Sequence, residues 1–431
     1  MTEVKAPARA APRRILRRLR RRRFALLAIL GPGLIAATAG DDAGGIATYA
    51  SVGAEFGFAL LWALVLITIS LALVQEMAER MGAVTGKGFA ELVRERMGIR
   101  VTAFVMLALL VANTGLVISE FAGIGAAGEL FGIPRLVSVP LMALILWAMI
   151  LRGSYDRVER IFLLMALALF AYPIAAIVAR PDWSAVGQQL VSPSVTFNTN
   201  YLTLFIALVG TTITPYMQIF LQSSVAERGG NVKLAELRLD AYSGAIFSDL
   251  VAAFIIIAAG ATLFPAGIKV VTAGDAARAL EPLAGPYAAD IFGVGLFGAS
   301  VLAAAVLPLA TAYPITEAFG FEKGISSSFH EAPIFHGLFA GLIALGALVA
   351  LLPGINVIQL LVSTQVLNGI LLPIELITML RLVNNPEIMG QLTNGRLYNA
   401  VAWLTVTCVL ALSTAYLAIT LLGLIGVRVL G

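Results

Sequence analysis

The stretch "GPGLIAATAGDDAGGIATYA", residues 31–50, sets two adjacent carboxylates, Asp41 and Asp42, among glycines in the middle of a long apolar run. A regular helix facing lipid does not carry this cheaply, because every backbone polar group in hydrocarbon must be satisfied inside the protein. We read it as a transmembrane helix that breaks near mid-depth. A second segment repeats the theme. "ALVGTTITPYMQIFLQS", residues 207–223, has Pro215 at mid-depth, where proline removes a helical donor and clashes with the preceding turn.

The composition supports a membrane reading. Of 431 residues, 59% are hydrophobic and 13% charged, against about 25% charged in soluble domains. The mean hydropathy is +0.93. Apolar runs of membrane-spanning length recur from Phe24 onward. The expected spans are 24–52, 57–78, 101–128, 136–151, 161–179, 200–224, 241–265, 287–318, 334–352, 355–380 and 398–425, eleven in all. Residues 1–23, ending in a run of arginines, read as a cytoplasmic tail that anchors the topology rather than as a surface helix or a nucleic-acid arm. No signal peptide and no nucleic-acid partner are expected. With the N-terminus cytoplasmic and the C-terminus outside, every Lys and Arg falls on the inner side except Arg135, Arg180, Lys269, Arg278 and Arg428.

The breaks fall in spans one and six. Five spans separate the copies, so the second enters from the opposite side. This is the pattern of an inverted-repeat transporter, whose discontinuous helices build a site at the midplane. The expected fold is therefore an all-α membrane protein with an inverted five-plus-five repeat, like the leucine transporter. Repeat one covers about 24–179, repeat two about 200–380, and an extra helix about 398–425. The whole of 24–431 forms one transmembrane domain.

Intramembrane carboxylates usually mark ion pathways. No Lys or Arg lies at mid-depth to pair with Asp41 or Asp42. Carboxylate, unwound carbonyls and the C-terminal dipole end of the half-helix before Gly40 together describe a cation site. No phosphate-binding loop, GxSxG elbow or Cys/His zinc pattern occurs. We expect no enzyme, no cofactor and no nucleotide-driven pump.

These segments resemble the natural resistance-associated macrophage protein (Nramp) divalent-metal transporters. Residues 31–50 look like the family's first helix, with Asp42-Ala43-Gly44-Gly45 where it carries Asp-Pro-Gly-Asn. "AERMGAVTGKGFAELVRER", residues 78–96, resembles its cytoplasmic segment. "TTITPYMQIFLQSS", residues 211–224, lies where it has Ala-x-x-Met-Pro-His, and "LVSTQVLNGILLPIELITMLRL", residues 361–382, resembles its tenth helix. The resemblance implies a metal site at Asp42, with Gly45 at the Asn position, Thr214 at the Met position and Tyr216 at the His position. It adds Gln365, and backbone carbonyls at Thr211 and Ala39. Asp41 is an extra acid. The set is similar to the Nramp-related magnesium transporters.

Ligand chemistry agrees with that branch. Losing the thioether leaves an oxygen-only site, and Mg²⁺ and Mn²⁺ both accept carboxylate, carbonyl and water. Mg²⁺ usually keeps several waters, for which Gly45 and Thr214 leave room. The expected substrate is Mg²⁺ with Mn²⁺, moved across the cytoplasmic (inner) membrane by alternating access. The alternatives are a proton-coupled Mn²⁺/Fe²⁺ symporter and a sodium-coupled organic-solute symporter. The oligomeric state is left open.

Other polar residues have two readings each. Glu120 is either on a proton route, as the resemblance implies, or a helix–helix contact. Asp249 either lines a vestibule or bonds a neighbouring helix. Glu76 and Glu79 read as members of a solvated or gating salt bridge at the cytoplasmic end of span two, and Glu317 and Glu375 as interfacial. His330 and His336 read as surface residues, leaving no span with a histidine. Cys408 is core or lipid-facing.

Overall fold

A computed structural model describes residues 42–151, 167–196, 198–228, 233–322 and 329–425. Asp41, Ala39, the basic tail and the first half of span one lie outside the described residues. Among the described residues the chain is all-helical, with no strand. Eight helical stretches are long and apolar enough to cross a membrane, and Arg135–Met149 is a shorter apolar helix.

The principal helices are α1 (Ala43–Phe56), α2 (Leu61–Thr85), α3 (Phe89–Leu130), α4 (Arg135–Leu151), α5 (Ala171–Val178), α6 (Trp183–Val191), α7 (Thr199–Thr212), α8 (Pro215–Arg228), α9 (Leu234–Thr262), α10 (Ala288–Phe319), α11 (Pro333–Ala350), α12 (Val357–Val383) and α13 (Arg396–Leu424). Short helical turns connect some of them. α3 is two helices joined at Gly98, whose φ of 76° and ψ of 171° suit glycine. Residues 89–97 are thus a separate helical segment, and the long helix that follows begins just before the residue 101 expected from sequence.

The packing explains how a site can form. α3 and α10 share the most extensive interface, with Asn113 donating to Thr311 Oγ1 at 2.8 Å. α12 packs on α7, α3 and α1, while α9 packs on α1 and α2. Small residues permit close crossings. A Cβ on Gly123 of α3 would meet Ala43 Cβ and Ser300 Oγ at 2.5 Å. A Cβ on Gly369 of α12 would meet the Ile206 carbonyl of α7 at 2.5 Å, and one on Gly210 would collide with the α12 backbone. α13 presents much of its surface outward, Cys408 included.

The C-terminal half of α2 is tied to its neighbours by a buried polar network. Glu76 is fully buried and accepts from Arg80 Nε at 3.2 Å, Arg238 Nε at 3.1 Å and the Tyr398 hydroxyl at 2.8 Å. Arg80 also donates to the Leu392 carbonyl and to Asn394 Oδ1. Glu76 is thus in a salt bridge, but a buried and not a solvated one, and Glu79 is buried too.

Candidate metal site

α1 begins inside the protein, at Ala43. Its Ncap is Asp42, with φ −70° and ψ 176°, and Gly45 N donates to Asp42 Oδ1 at 2.6 Å. A helix start leaves four backbone N–H groups without helical partners, and this start is buried. Asp42 takes one. Glu120 of α3 takes another, accepting from Ala43 N at 3.3 Å. The described half of the broken span therefore turns its N-terminal, positive end toward Asp42. The C-terminal end invoked from sequence lies outside the described residues.

Span six breaks where proline predicts. α7 ends at Thr212, Ile213 has non-helical φ −108° and ψ 73°, and α8 opens with Pro215. Proline is well suited to the first helical position. It also offers no N–H to the Thr211 carbonyl, which leaves that oxygen outside the helical ladder. Thr211 and Thr214 are buried, and neither hydroxyl has a partner. Tyr216 is buried within electrostatic range of Asp42 and Glu120.

The third contribution is from α12. Gln365 Nε2 donates to Asp42 Oδ1 at 3.2 Å, and Asn368 Nδ2 donates to Gln365 Oε1 at 3.1 Å. Gln365 is admitted by glycine, since a Cβ on Gly44 would collide with its amide nitrogen. With Oδ1 doubly engaged, Asp42 Oδ2 is left without a partner. So are Glu120 Oε1, Asn368 Oδ1 and the two threonine hydroxyls. Buried polar groups are nearly always paired. A set of orphaned oxygens at the break of two helices is what a hard cation requires, because it bonds oxygen and needs no hydrogen-bond donor.

The structure joins Asp42, Gly45, Gln365 and Glu120 directly. Thr211, Thr214 and Tyr216 line the other break. Gly45 contributes a backbone donor. Ala39 and Asp41 lie outside the described residues. Asp249 is buried on α9 across from Thr68 of α2 and makes no hydrogen bond to this group. No cluster of three or more His, Cys, Asp or Glu able to hold a metal occurs among the described residues. A cation held here would rest on one or two carboxylates plus neutral oxygens. Near the C-terminal end of α3 and the N-terminal end of α12 a cavity of about 490 Å³ is lined by Glu129, Arg135, Thr272 and Asn356 among others.

Two sequence readings are corrected. Glu375 is not interfacial: it is 5% exposed and buried on the C-terminal half of α12. His336 is not on the surface: it is 4% exposed in the first turn of α11, against Phe335 and Phe329, so one span does hold a histidine. Glu317 is partly exposed in the last turn of α10, and His330 is exposed. Asn368 and Gly44 escaped the sequence reading. Asn368 could have been found from its i+3 spacing to Gln365, which puts both on one helix face.

The family model for natural resistance-associated macrophage protein-like proteins matches residues 33–419.

The chain belongs to the Nramp family.

Curated relatives include "Divalent metal cation transporter MntH" of Yersinia pestis (strain Pestoides F), 28% identical over 92% of this chain and 96% of that protein. The protein of the same name from Klebsiella pneumoniae (strain 342) is 28% identical over 92% and 95%. Among solved structures, a variant of the Eremococcus coleocola manganese transporter has TM-score 0.73 and 19% identity, over 98% of this chain and 90% of that one. MhsT in complex with L-phenylalanine has TM-score 0.57 and 14% identity, over 89% and 98%. Both show the fold.

Proposed function

We propose that this chain carries divalent metal cations across a membrane by alternating access, with Asp42 as the principal ligand. The observation that carries the reading is Asp42 Oδ2, a buried carboxylate oxygen with no partner at the start of α1. Thr211, Thr214 and Gln365 complete an oxygen-donor set, with Gly45 leaving space and Tyr216 forming a wall. Ala39 and Asp41 belong to the same proposal. The full topology would be eleven spans in a five-plus-five inverted arrangement in the cytoplasmic membrane, N-terminus inside and C-terminus outside.

The finer proposal is Mg²⁺ together with Mn²⁺. Its support is chemical: no thioether replaces Thr214 at the break. The sulfur of Met217 is occupied elsewhere, accepting from Gln75 Nε2 at 3.4 Å. Hard ions lose nothing by this. The second reading, a proton-coupled Mn²⁺/Fe²⁺ symporter, is favoured by the manganese transporter among the structural relatives. It is favoured also by Glu120, a second carboxylate at the same helix start. The test is uptake into proteoliposomes of purified protein. Mn²⁺ and Mg²⁺ entry that disappears in Asp42→Ala supports the reading. An Asp42→Ala variant, folded and inserted, with normal uptake of both ions would remove it.

A further inference from the structure

Glu375 has no place in the site just described, yet it is a buried carboxylate with neither oxygen partnered. It follows Gln365 and Asn368 at i+10 and i+7, so the three share one stripe of α12. Ten residues of helix separate Gln365 from Glu375 by about 15 Å, toward the proposed cytoplasmic side. The carboxyl faces a narrow crevice lined by Val105, Leu109 and Ala112 of α3 and by Pro215 and Ile219 of α8. Glu375 is its sole charged residue. Its accessible space is about 10 Å³, room for about one water. A bare carboxylate among such walls is costly, and natural proteins match one with a counter-charge or a proton.

The crevice lies directly below the Ile213–Thr214 break, and α8 forms one wall. α8 packs chiefly on α2 and only lightly on α12 and α3. Tilting of α8 with α2 about the break would therefore part the crevice and hydrate Glu375 while leaving α12 in place. We infer that Glu375 is a second station for the divalent cation, a carboxylate shut in apolar walls when α8 is closed and unveiled to receive the hydrated ion when α8 tilts. This rests on the transport reading above. The ion then passes from Asp42 to a second anionic oxygen rather than straight into the cytoplasmic vestibule. The waters it retains replace the ligands that apolar walls do not offer.

The experiment is Mn²⁺ uptake into proteoliposomes by wild type, Glu375→Gln and Glu375→Asp, with Mn²⁺ binding to each detergent-purified protein. Glu375→Gln keeps the shape and removes the charge. It should lower saturating uptake about tenfold, with Mn²⁺ affinity at the Asp42 site within about twofold of wild type, and Glu375→Asp should restore part of the rate. A hydrophobic carbodiimide, followed by peptide mass spectrometry, should label Glu375 in the wild type. Mn²⁺, but not Na⁺ at equal ionic strength, should slow that labelling. Wild-type uptake rates in Glu375→Gln, or labelling indifferent to Mn²⁺, would overturn the inference. A wild-type protein that carries no divalent ion would instead bring down the transport reading itself, so the two failures are distinct.

Discussion

Gln365 Nε2 donates to Asp42 Oδ1 over 3.2 Å, while Oδ2 of the same carboxylate has no partner. One oxygen is thus committed to holding the side chain in place and the other is offered. Two further groups fix the arrangement: Gly45 N holds Oδ1 from below, and Asn368 fixes the Gln365 amide from behind.

Removing the offered oxygen should abolish transport. For Asp42→Ala we expect no measurable Mn²⁺ or Mg²⁺ uptake. Metal binding should weaken by at least about 100-fold, since loss of an outer-shell partner alone costs 10–100-fold. Isothermal titration of the purified variant checks the second figure.

Asn368 acts through Gln365. Asn368→Ala should weaken Mn²⁺ binding by about tenfold without a comparable loss of stability. Asn368→Asp loses the same donor to Gln365 Oε1 but adds a carboxylate beside it, so its isotherm should differ from that of Asn368→Ala. Binding isotherms and thermal unfolding on the same preparations separate the two effects.

Two glycines near the site should behave oppositely. A methyl on Gly44 meets the flexible end of Gln365, so Gly44→Ala should fold normally and bind metal poorly. A methyl on Gly210 meets the backbone of α12 at Gln365 and Gly369. Gly210→Ala should destabilise the protein by about 1–3 kcal/mol, the usual cost of overpacking. Unfolding midpoints and metal titrations together read out the contrast.

Thr214→Met would return a soft donor to the break. Cd²⁺ gains most from sulfur, so the Cd²⁺-to-Mg²⁺ uptake ratio should rise and Mg²⁺ uptake should fall as its waters are crowded out. Unchanged values for both in competition assays would show that position 214 does not face the ion.

Proton coupling distinguishes the two metal readings. The residue at the family's histidine position is Tyr216, whose unperturbed pKa is about 10, and the buried His336 is at the start of α11. Under the magnesium reading, metal entry leaves the intraliposomal pH unchanged. Acidification that requires metal and vanishes in Glu120→Gln would favour the Mn²⁺/Fe²⁺ symporter.

Much of the architecture was legible in the chain. Pro215 marked its break, since a missing N–H acts wherever the helix lies. Asp42 was visible because a carboxylate in an apolar run has few bland explanations. Helix ends were harder. His336 reads as a surface residue from its place beside a loop and Glu375 as interfacial from its place near a span end, but their burial depends on what α3, α8 and Phe329 place against them. Gly44 illustrates a different limit. Its reason for being glycine is the amide of Gln365, far away in sequence, and no local pattern carries that information. The helix that starts at Ala43, with its N-terminal end toward Asp42, was not legible, because sequence does not say at which residue an unwound segment resumes its helix.

The near contact of α7 and α12 at Gly210 and Gly369 acts as an index pin. With backbones this close, neither helix can slide by even part of a turn without driving a side chain into a carbonyl. The distance from Gln365 to the span-six break is therefore machined into the main chain and not left to rotamers. A relative with the same pin inherits the same ruler, so differences in ion preference between them have to be written in the side chains at the marks.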